Sequence, residues 1–89
     1  MRLLRGRPRV AEVVLVTRQG CHLCELAAPV VRREAERAGA GYAERDVDAS
    51  PADVAAYGEK VPVVLLDGTE HAYWQIDEKA LRTALRSGV

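Results

Sequence analysis

Eighty-nine residues with no net charge limit this chain to one domain and argue against nucleic acid as its main partner. Thirteen basic residues balance thirteen acidic ones, whereas phosphate binding needs a basic surplus. The 48% share of hydrophobic residues excludes a disordered polypeptide, and no apolar run is long enough to span a membrane.

The first nine residues are basic and lack the apolar stretch of a secretory signal. We therefore expect a flexible, solvated tail over 1–9, a single domain over 10–89 and a cytoplasmic protein. Because the cytoplasm is reducing, the two cysteines of the chain are expected to be catalytic or metal-binding rather than a structural cross-link.

The first half of the domain predicts a strand, a long helix and a second strand. Residues 12–17 form a short β-branched run typical of a buried strand, and Arg18-Gln19-Gly20 ends it. The second strand is expected over 42–47, packed either through Tyr42 or through Ala43, Arg45 and Val47. Between the strands, apolar residues recur at helical spacing until Gly39: Leu23, Leu26, Ala27, Val30, Val31, Ala35 and Ala38.

The second half predicts a short helix, a hairpin and a last helix. Ser50 and Pro51 open the short helix, which ends at Gly58. Strands are expected over 61–66 and 71–74, joined by a turn at Asp67-Gly68, and Asp77 caps the last helix. The order β-α-β-α-β-β-α predicts an α/β fold with a four-stranded mixed sheet flanked by helices. The apolar face of the last helix is formed by Ala80, Leu81, Ala84 and Leu85.

Cys21 and Cys24 lie where the first strand gives way to the first helix. Free backbone N–H groups and the helix dipole favour a thiolate there, and the thiolate is the species that attacks a disulfide. Three residues advance a helix by roughly 300°, so Cys24 lies within reach of Cys21 as a resolving thiol. His22, between them, either stabilises the thiolate or is an exposed polar residue of small effect.

A zinc site is the competing interpretation of the cysteine pair. Only His22 and His71 remain as further soft ligands, and His22 lies between the cysteines, where closing a tetrahedron is awkward. We therefore expect no metal and no bound organic cofactor, but a redox-active Cys21–Cys24 disulfide that an external thiol or reductase supplies with electrons.

Val61 and Pro62 form the second candidate site. A proline at the start of a core strand removes a hydrogen-bond donor from the sheet. A cis peptide bond here would let Val61 present its backbone to a ligand, and a trans proline at a strand start is the alternative. Together with the cysteine pair, this step predicts a substrate-binding edge.

Residues 17–24, the Val61–Pro62 step and the element order resemble the glutaredoxin-like branch of the thioredoxin superfamily, and this resemblance implies a thioredoxin fold. It also implies that Arg18 stabilises the thiolate and meets a carboxylate of glutathione, while a solvated loop arginine is the alternative. Two bulky residues, Tyr73 and Trp74, lie in the stretch where glutaredoxins that bind glutathione have a glycine pair. Asp77 is the acidic candidate for the amino group of the tripeptide.

The sequence therefore predicts a monomeric thiol–disulfide oxidoreductase in which Cys21 attacks, and Cys24 resolves, a protein or small-molecule disulfide. Its substrate-binding residues are expected to be Arg18, His22, Val61, Pro62 and Asp77. Two alternatives are an iron–sulfur carrier, in which Cys21 of two chains and two small thiols hold a cluster, and a redox-inert binding module of the same fold.

Overall fold

A mixed sheet of four strands forms the centre of the computed structural model, which describes residues 9–87. The strands are β1 (Glu12–Thr17), β2 (Gly41–Asp46), β3 (Val63–Leu66) and β4 (Thr69–Tyr73), and they lie in the order β2-β1-β3-β4. β1 pairs with β2 in parallel and with β3 in antiparallel orientation, and β3 and β4 form an antiparallel hairpin. The predicted topology is confirmed; of the predicted tail, residues 1–8 lie outside the described residues.

Three helices surround this sheet: α1 (His22–Ala38), α2 (Pro51–Tyr57) and α3 (Glu78–Ser87). Ser50 caps α2, and the Asp77 carboxylate accepts hydrogen bonds from the N–H groups of Lys79 and Ala80 at the start of α3. A 3₁₀ turn, Val47–Ala49, follows β2. Among residues 9–87, no helix is both long enough and apolar enough to cross a membrane.

The bounds of three strands differ from the sequence prediction. β2 spans Gly41–Asp46 rather than 42–47, because Val47 begins the 3₁₀ turn. β3 begins at Val63 rather than Val61, because Pro62 has no N–H group to donate to the sheet. β4 spans Thr69–Tyr73 rather than 71–74: Thr69 already pairs with Leu66 directly after the turn, and Trp74, with a φ of 64°, leaves the extended conformation.

The sheet buries apolar side chains on both faces. One face packs against α1 and α3, and the other packs against the 3₁₀ turn and Tyr57. The first core contains Val13, Leu15, Val31, Ala35, Val64, Leu81 and Leu85; the second contains Val16, Val47, Val63 and Leu65.

The buried face of α1 contains only part of the apolar pattern that predicted the helix. Leu23 and Leu26 fit the helical spacing but are 39% and 57% exposed. The helix contacts the sheet along a narrower line of positions three and four apart, and both leucines lie on its flank. Ala80 of α3 is likewise exposed. The residues that α1 does bury are Cys24, Ala27, Val31, Glu34 and Ala35.

Glu34 joins α1 to α3 through a charged network that the sequence did not predict. Its carboxylate is 1% exposed and accepts two hydrogen bonds from Arg82, at 3.0 and 2.8 Å, and one from Arg37 at 3.1 Å. The hydrogen bonds from Arg82 lower the pKa of Glu34 from 4.5 to about 2, against the opposing effect of burial. The two helices are therefore held together by an ion pair between a buried carboxylate and a partly exposed arginine, as well as by apolar packing.

Candidate active site

The turn between β1 and α1 places Cys21 at the start of the helix. Gly20 adopts a φ of +75°, a left-handed conformation that a glycine reaches without a steric penalty. The Cys21 N–H donates to the carbonyl of Arg18 at 3.2 Å, which closes the turn, and the Cys21 carbonyl accepts from Glu25 at 3.1 Å, which begins the helix. Cys21 is therefore the N-cap of α1, where the free N–H groups favour a negatively charged sulfur.

Cys21 and Cys24 are joined by a disulfide, with their Cα atoms 5.2 Å apart. The Cys24 N–H also donates to the Sγ atom of Cys21 at 3.2 Å. Cys24 is only 4% exposed, whereas Cys21 is partly accessible. The two sulfur atoms therefore differ in access, and Cys21 is the more exposed of the two cysteines.

The loop before β3 provides a backbone edge. The Val61–Pro62 peptide bond is cis, and the Pro62 side chain is buried. The Pro62 carbonyl accepts a hydrogen bond from the Trp74 N–H at 2.9 Å, so it is already paired. Within the described residues, the N–H and carbonyl groups of Val61 form no backbone hydrogen bond, which leaves both free to pair with a ligand.

An apolar groove of about 710 Å³ lies along this edge and is lined by Leu23, Val61, Tyr73, Trp74 and Gln75. Leu23 lies between the two cysteines in the sequence, so the groove reaches the first turn of α1. Leu26 does not line this groove; it lines a second, smaller pocket of about 180 Å³ together with Trp74 and Ile76.

Trp74 holds the loop before Pro62 in place. Its indole N–H donates to the carbonyl of Glu59 at 3.0 Å, while its backbone N–H bonds to the carbonyls of Pro62 and Lys60. The indole is 53% exposed and meets the Tyr73 ring edge-on at 5.1 Å. The bulky Trp74 side chain therefore lines the groove in the stretch where glutaredoxins that bind glutathione have a glycine pair.

The Arg18 side chain is paired within the protein. Its Nε and Nη2 atoms donate to the two carboxylate oxygens of Asp48, at 2.9 and 3.0 Å, and its Nη1 atom donates to the carbonyl of Gly58 at 2.9 Å. The hydrogen bond between the two side chains raises the pKa of Arg18 and lowers that of Asp48. Asp48 thus binds the guanidinium group for which the resemblance implied a carboxylate of glutathione. No sequence motif indicated Asp48 as the partner of Arg18.

The remaining predicted residues lie apart from the groove lining. His22 is exposed in the first turn of α1, and the carboxylate of Asp77 is engaged as the cap of α3. In residues 9–87 there is no group of three or more His, Cys, Asp or Glu side chains that could hold a metal ion.

The fold and the cysteine pair at the helix start define a thioredoxin-fold domain with a dithiol site. The structure is similar to that of a thioredoxin variant from Halobacterium salinarum, with a TM-score of 0.66 and 30% identity over 90% of this chain and 75% of the other. An X. campestris protein, XcR50, gives a TM-score of 0.66 with 29% identity over 86% of this chain and 99% of its own.

The family comparison is more specific than these structural similarities. Residues 12–86 match the family described as Glutaredoxin-like domain (DUF836), and the chain belongs to this family. Uncharacterized proteins of Mycobacterium tuberculosis and Mycobacterium bovis are 40% identical over 76 residues, covering 80% of this chain and 78% of theirs. The glutaredoxin-like identity and the thioredoxin fold expected from the sequence are thereby confirmed, and they support a thiol–disulfide redox role.

Proposed function

We propose that this protein is a thiol–disulfide oxidoreductase in which Cys21 is the nucleophile and Cys24 is the resolving thiol. One observation carries the proposal: an accessible cysteine caps a helix and is bonded to a buried cysteine one turn further along. The N–H groups of the helix start and the Cys24 N–H stabilise negative charge on the Cys21 sulfur after reduction.

The reaction starts from the reduced protein. The Cys21 thiolate attacks one sulfur of a substrate disulfide, so that a bond forms between Cys21 and the substrate, the substrate disulfide breaks and one thiolate leaves. Cys24 then loses its proton and attacks the Cys21 sulfur, which releases the second substrate thiolate and forms the Cys21–Cys24 disulfide. The substrate gains two electrons and two protons, and an external dithiol or two thiol molecules return them to the protein.

Substrate binding is assigned to the groove and the Val61 backbone. An extended segment on either side of a substrate cysteine can pair with the N–H and carbonyl groups of Val61, while an apolar side chain lies between Leu23 and Trp74. This arrangement suits a disulfide in a protein or in a small molecule with an extended backbone. We propose that the protein acts as a monomer in the cytoplasm, with a reductase or a small thiol as its partner and with no bound metal or organic cofactor.

Trapping with the Cys24→Ser variant tests the proposal. Without the resolving thiol, Cys21 should retain the first half of its substrate as a mixed disulfide, which mass spectrometry identifies in the purified protein. Cys21→Ser is the matched control and should retain nothing. If Cys24→Ser and Cys21→Ser retain the same species, or if the wild-type protein cannot reduce any disulfide, the redox function is refuted.

Absorbance of the same preparations tests the iron–sulfur alternative. A coloured wild-type protein whose colour is lost in Cys21→Ser would favour a cluster carrier over the exchange reaction.

A further inference from the structure

Asp48 is paired with Arg18, which lies three residues before Cys21, and has no role in the exchange reaction. It projects from the 3₁₀ turn Val47–Ala49, and both of its carboxylate oxygens accept hydrogen bonds from Arg18. The Arg18 carbonyl accepts a hydrogen bond from the Cys21 N–H, so Arg18 belongs to the cysteine turn. Its Nη1 atom donates to the carbonyl of Gly58, near the loop that leads into Val61. The Arg18 guanidinium thus bridges the cysteine turn and the substrate-binding loop.

The position of Asp48 is fixed by its surroundings. The Val47 side chain is fully buried in the core, which anchors the turn, and the Asp48 N–H donates to the Asp46 carboxylate at 3.0 Å. An exposed ion pair of two flexible side chains is usually weak, but a bidentate contact from an anchored turn has favourable geometry. The Asp48 carboxylate therefore neutralises the charge of the Arg18 guanidinium when no substrate is bound.

The charges around Arg18 are predominantly negative. Asp48 is hydrogen-bonded to its guanidinium, and the charges of Asp46 and Glu59 also raise the pKa of Arg18. The nearby Lys60 is paired with Glu70 at 2.8 Å. An anionic substrate beside the Val61 loop is repelled by these carboxylates, and the Arg18 guanidinium is already paired with Asp48.

We infer that Asp48 is a specificity-determining residue that makes the site discriminate against anionic disulfides and accept neutral or cationic ones. This inference rests on the proposed function, because it concerns which disulfide reaches Cys21. Asp48 does not alter the bonds that form and break; it changes the electrostatic work of bringing a charged disulfide to the Cys21 sulfur. The substrate class is therefore a disulfide flanked by neutral or basic groups, rather than a carboxylate-bearing small thiol.

A series of three small disulfides tests this inference. Cystamine is dicationic, bis(2-hydroxyethyl) disulfide is neutral and 3,3′-dithiodipropionate is dianionic at neutral pH. Each is mixed in excess with reduced protein, and oxidation of the Cys21–Cys24 pair is followed by quenching, thiol labelling and mass spectrometry. Each variant's rate with a charged disulfide is divided by its rate with the neutral one, so that overall changes in reactivity cancel.

In the Asp48→Asn variant, the ratio of dianionic to neutral rates should rise about three- to tenfold at low salt, the effect of one unit charge near a partly exposed site. The ratio of dicationic to neutral rates should fall, and both changes should shrink at high salt. The matched control is Asp53→Asn, which removes a carboxylate paired with Arg45 at 2.9 Å and changes the net charge equally. Its ratios should equal those of the wild-type protein.

The Arg18→Gln variant provides an independent measurement should Asp48→Asn fold poorly. It leaves the Asp48 charge uncompensated, so the ratio of dianionic to neutral rates should fall below the wild-type value, and adding Asp48→Asn should raise it again. Equal changes with all three disulfides, or the same shift in Asp53→Asn, would overturn the inference while leaving the redox function intact. A wild-type protein that none of the three disulfides oxidises would overturn both.

Discussion

Removing the charge of Glu34 is expected to destabilise the protein strongly, although this residue lies outside the redox site. The Glu34→Gln variant keeps the size of the side chain and one hydrogen-bond acceptor but loses the attraction to Arg82 and Arg37. The fall of the Glu34 pKa from 4.5 to about 2 corresponds to about 3 kcal/mol of stabilisation at neutral pH. Because Arg82 is 41% exposed and can regain water, we expect a loss of about 2–3 kcal/mol rather than the larger cost of an unpaired buried ion.

The same ion pair predicts a pH dependence with a definite sign. The pKa of Glu34 is lower in the folded than in the unfolded protein, so its stabilisation is fully present above pH 4.5 and is lost as the pH falls toward about 2. The free energies of unfolding of the wild-type protein and of Glu34→Gln should therefore converge over this interval. Arg82, whose pKa is raised by its hydrogen bond to Glu34, stays protonated throughout this interval.

Urea unfolding, followed by circular dichroism and by the fluorescence of Trp74, measures this difference. Glu36→Gln is the matched control, because Glu36 lies on the same helix but is exposed, and it should change the free energy of unfolding by less than about 0.5 kcal/mol. The reasoning would be refuted by a Glu34→Gln loss no larger than that of Glu36→Gln, or by a loss that is the same at pH 7 and near pH 2.

Three further predictions concern the site. In the reduced protein, iodoacetamide should alkylate Cys21 at least about tenfold faster than Cys24, and equal rates measured by mass spectrometry would contradict the difference in access. Gly20→Ala should lower the free energy of unfolding by about 1–2 kcal/mol through its positive φ, since no atom lies within 4 Å of the added Cβ; an unchanged urea midpoint would contradict this. The Cys24→Ser variant should form a mixed disulfide with glutathione only at millimolar glutathione disulfide, because the Arg18 contact is occupied; rapid reaction at micromolar concentration would show that the site accepts glutathione.

The parts of this fold that sequence reasoning predicted are those governed by local rules. The β-branched run of β1, the cap at Ser50 and the turn at Asp67-Gly68 each follow from the conformational preferences of a few neighbouring residues. Cys21 could be placed at a helix start because the end of the strand and the beginning of the helical pattern lie on either side of it. The adjacent Gly20 supplies the turn that the change of direction requires.

The features that could not be predicted depend on contacts between distant segments. Leu23 and Leu26 fit the helical period, but only the position of Trp74, about fifty residues later, determines that this flank of α1 borders a groove. Glu34 is an ordinary polar residue on a helix until Arg82 of α3 comes within hydrogen-bonding distance. Arg18 was identified by its spacing from Cys21, whereas its partner Asp48 is thirty residues away and belongs to no motif.

The reactivity of the cysteine and the selectivity for substrate charge therefore depend on different segments of the chain. The reactive cysteine depends on a helix start and a left-handed glycine, which backbone geometry fixes within a few residues. The proposed selectivity for the charge of the substrate depends on the 3₁₀ turn after β2, where Val47 is buried while the neighbouring Asp48 pairs with Arg18. Because Val47 anchors this turn in the core and Asp48 is exposed, the charge at position 48 can change without disturbing the core packing. Family members that carry no carboxylate at the position of Asp48 are therefore expected to keep the same exchange chemistry but to react faster with anionic disulfides, and the three-disulfide assay applied to such a relative measures this directly.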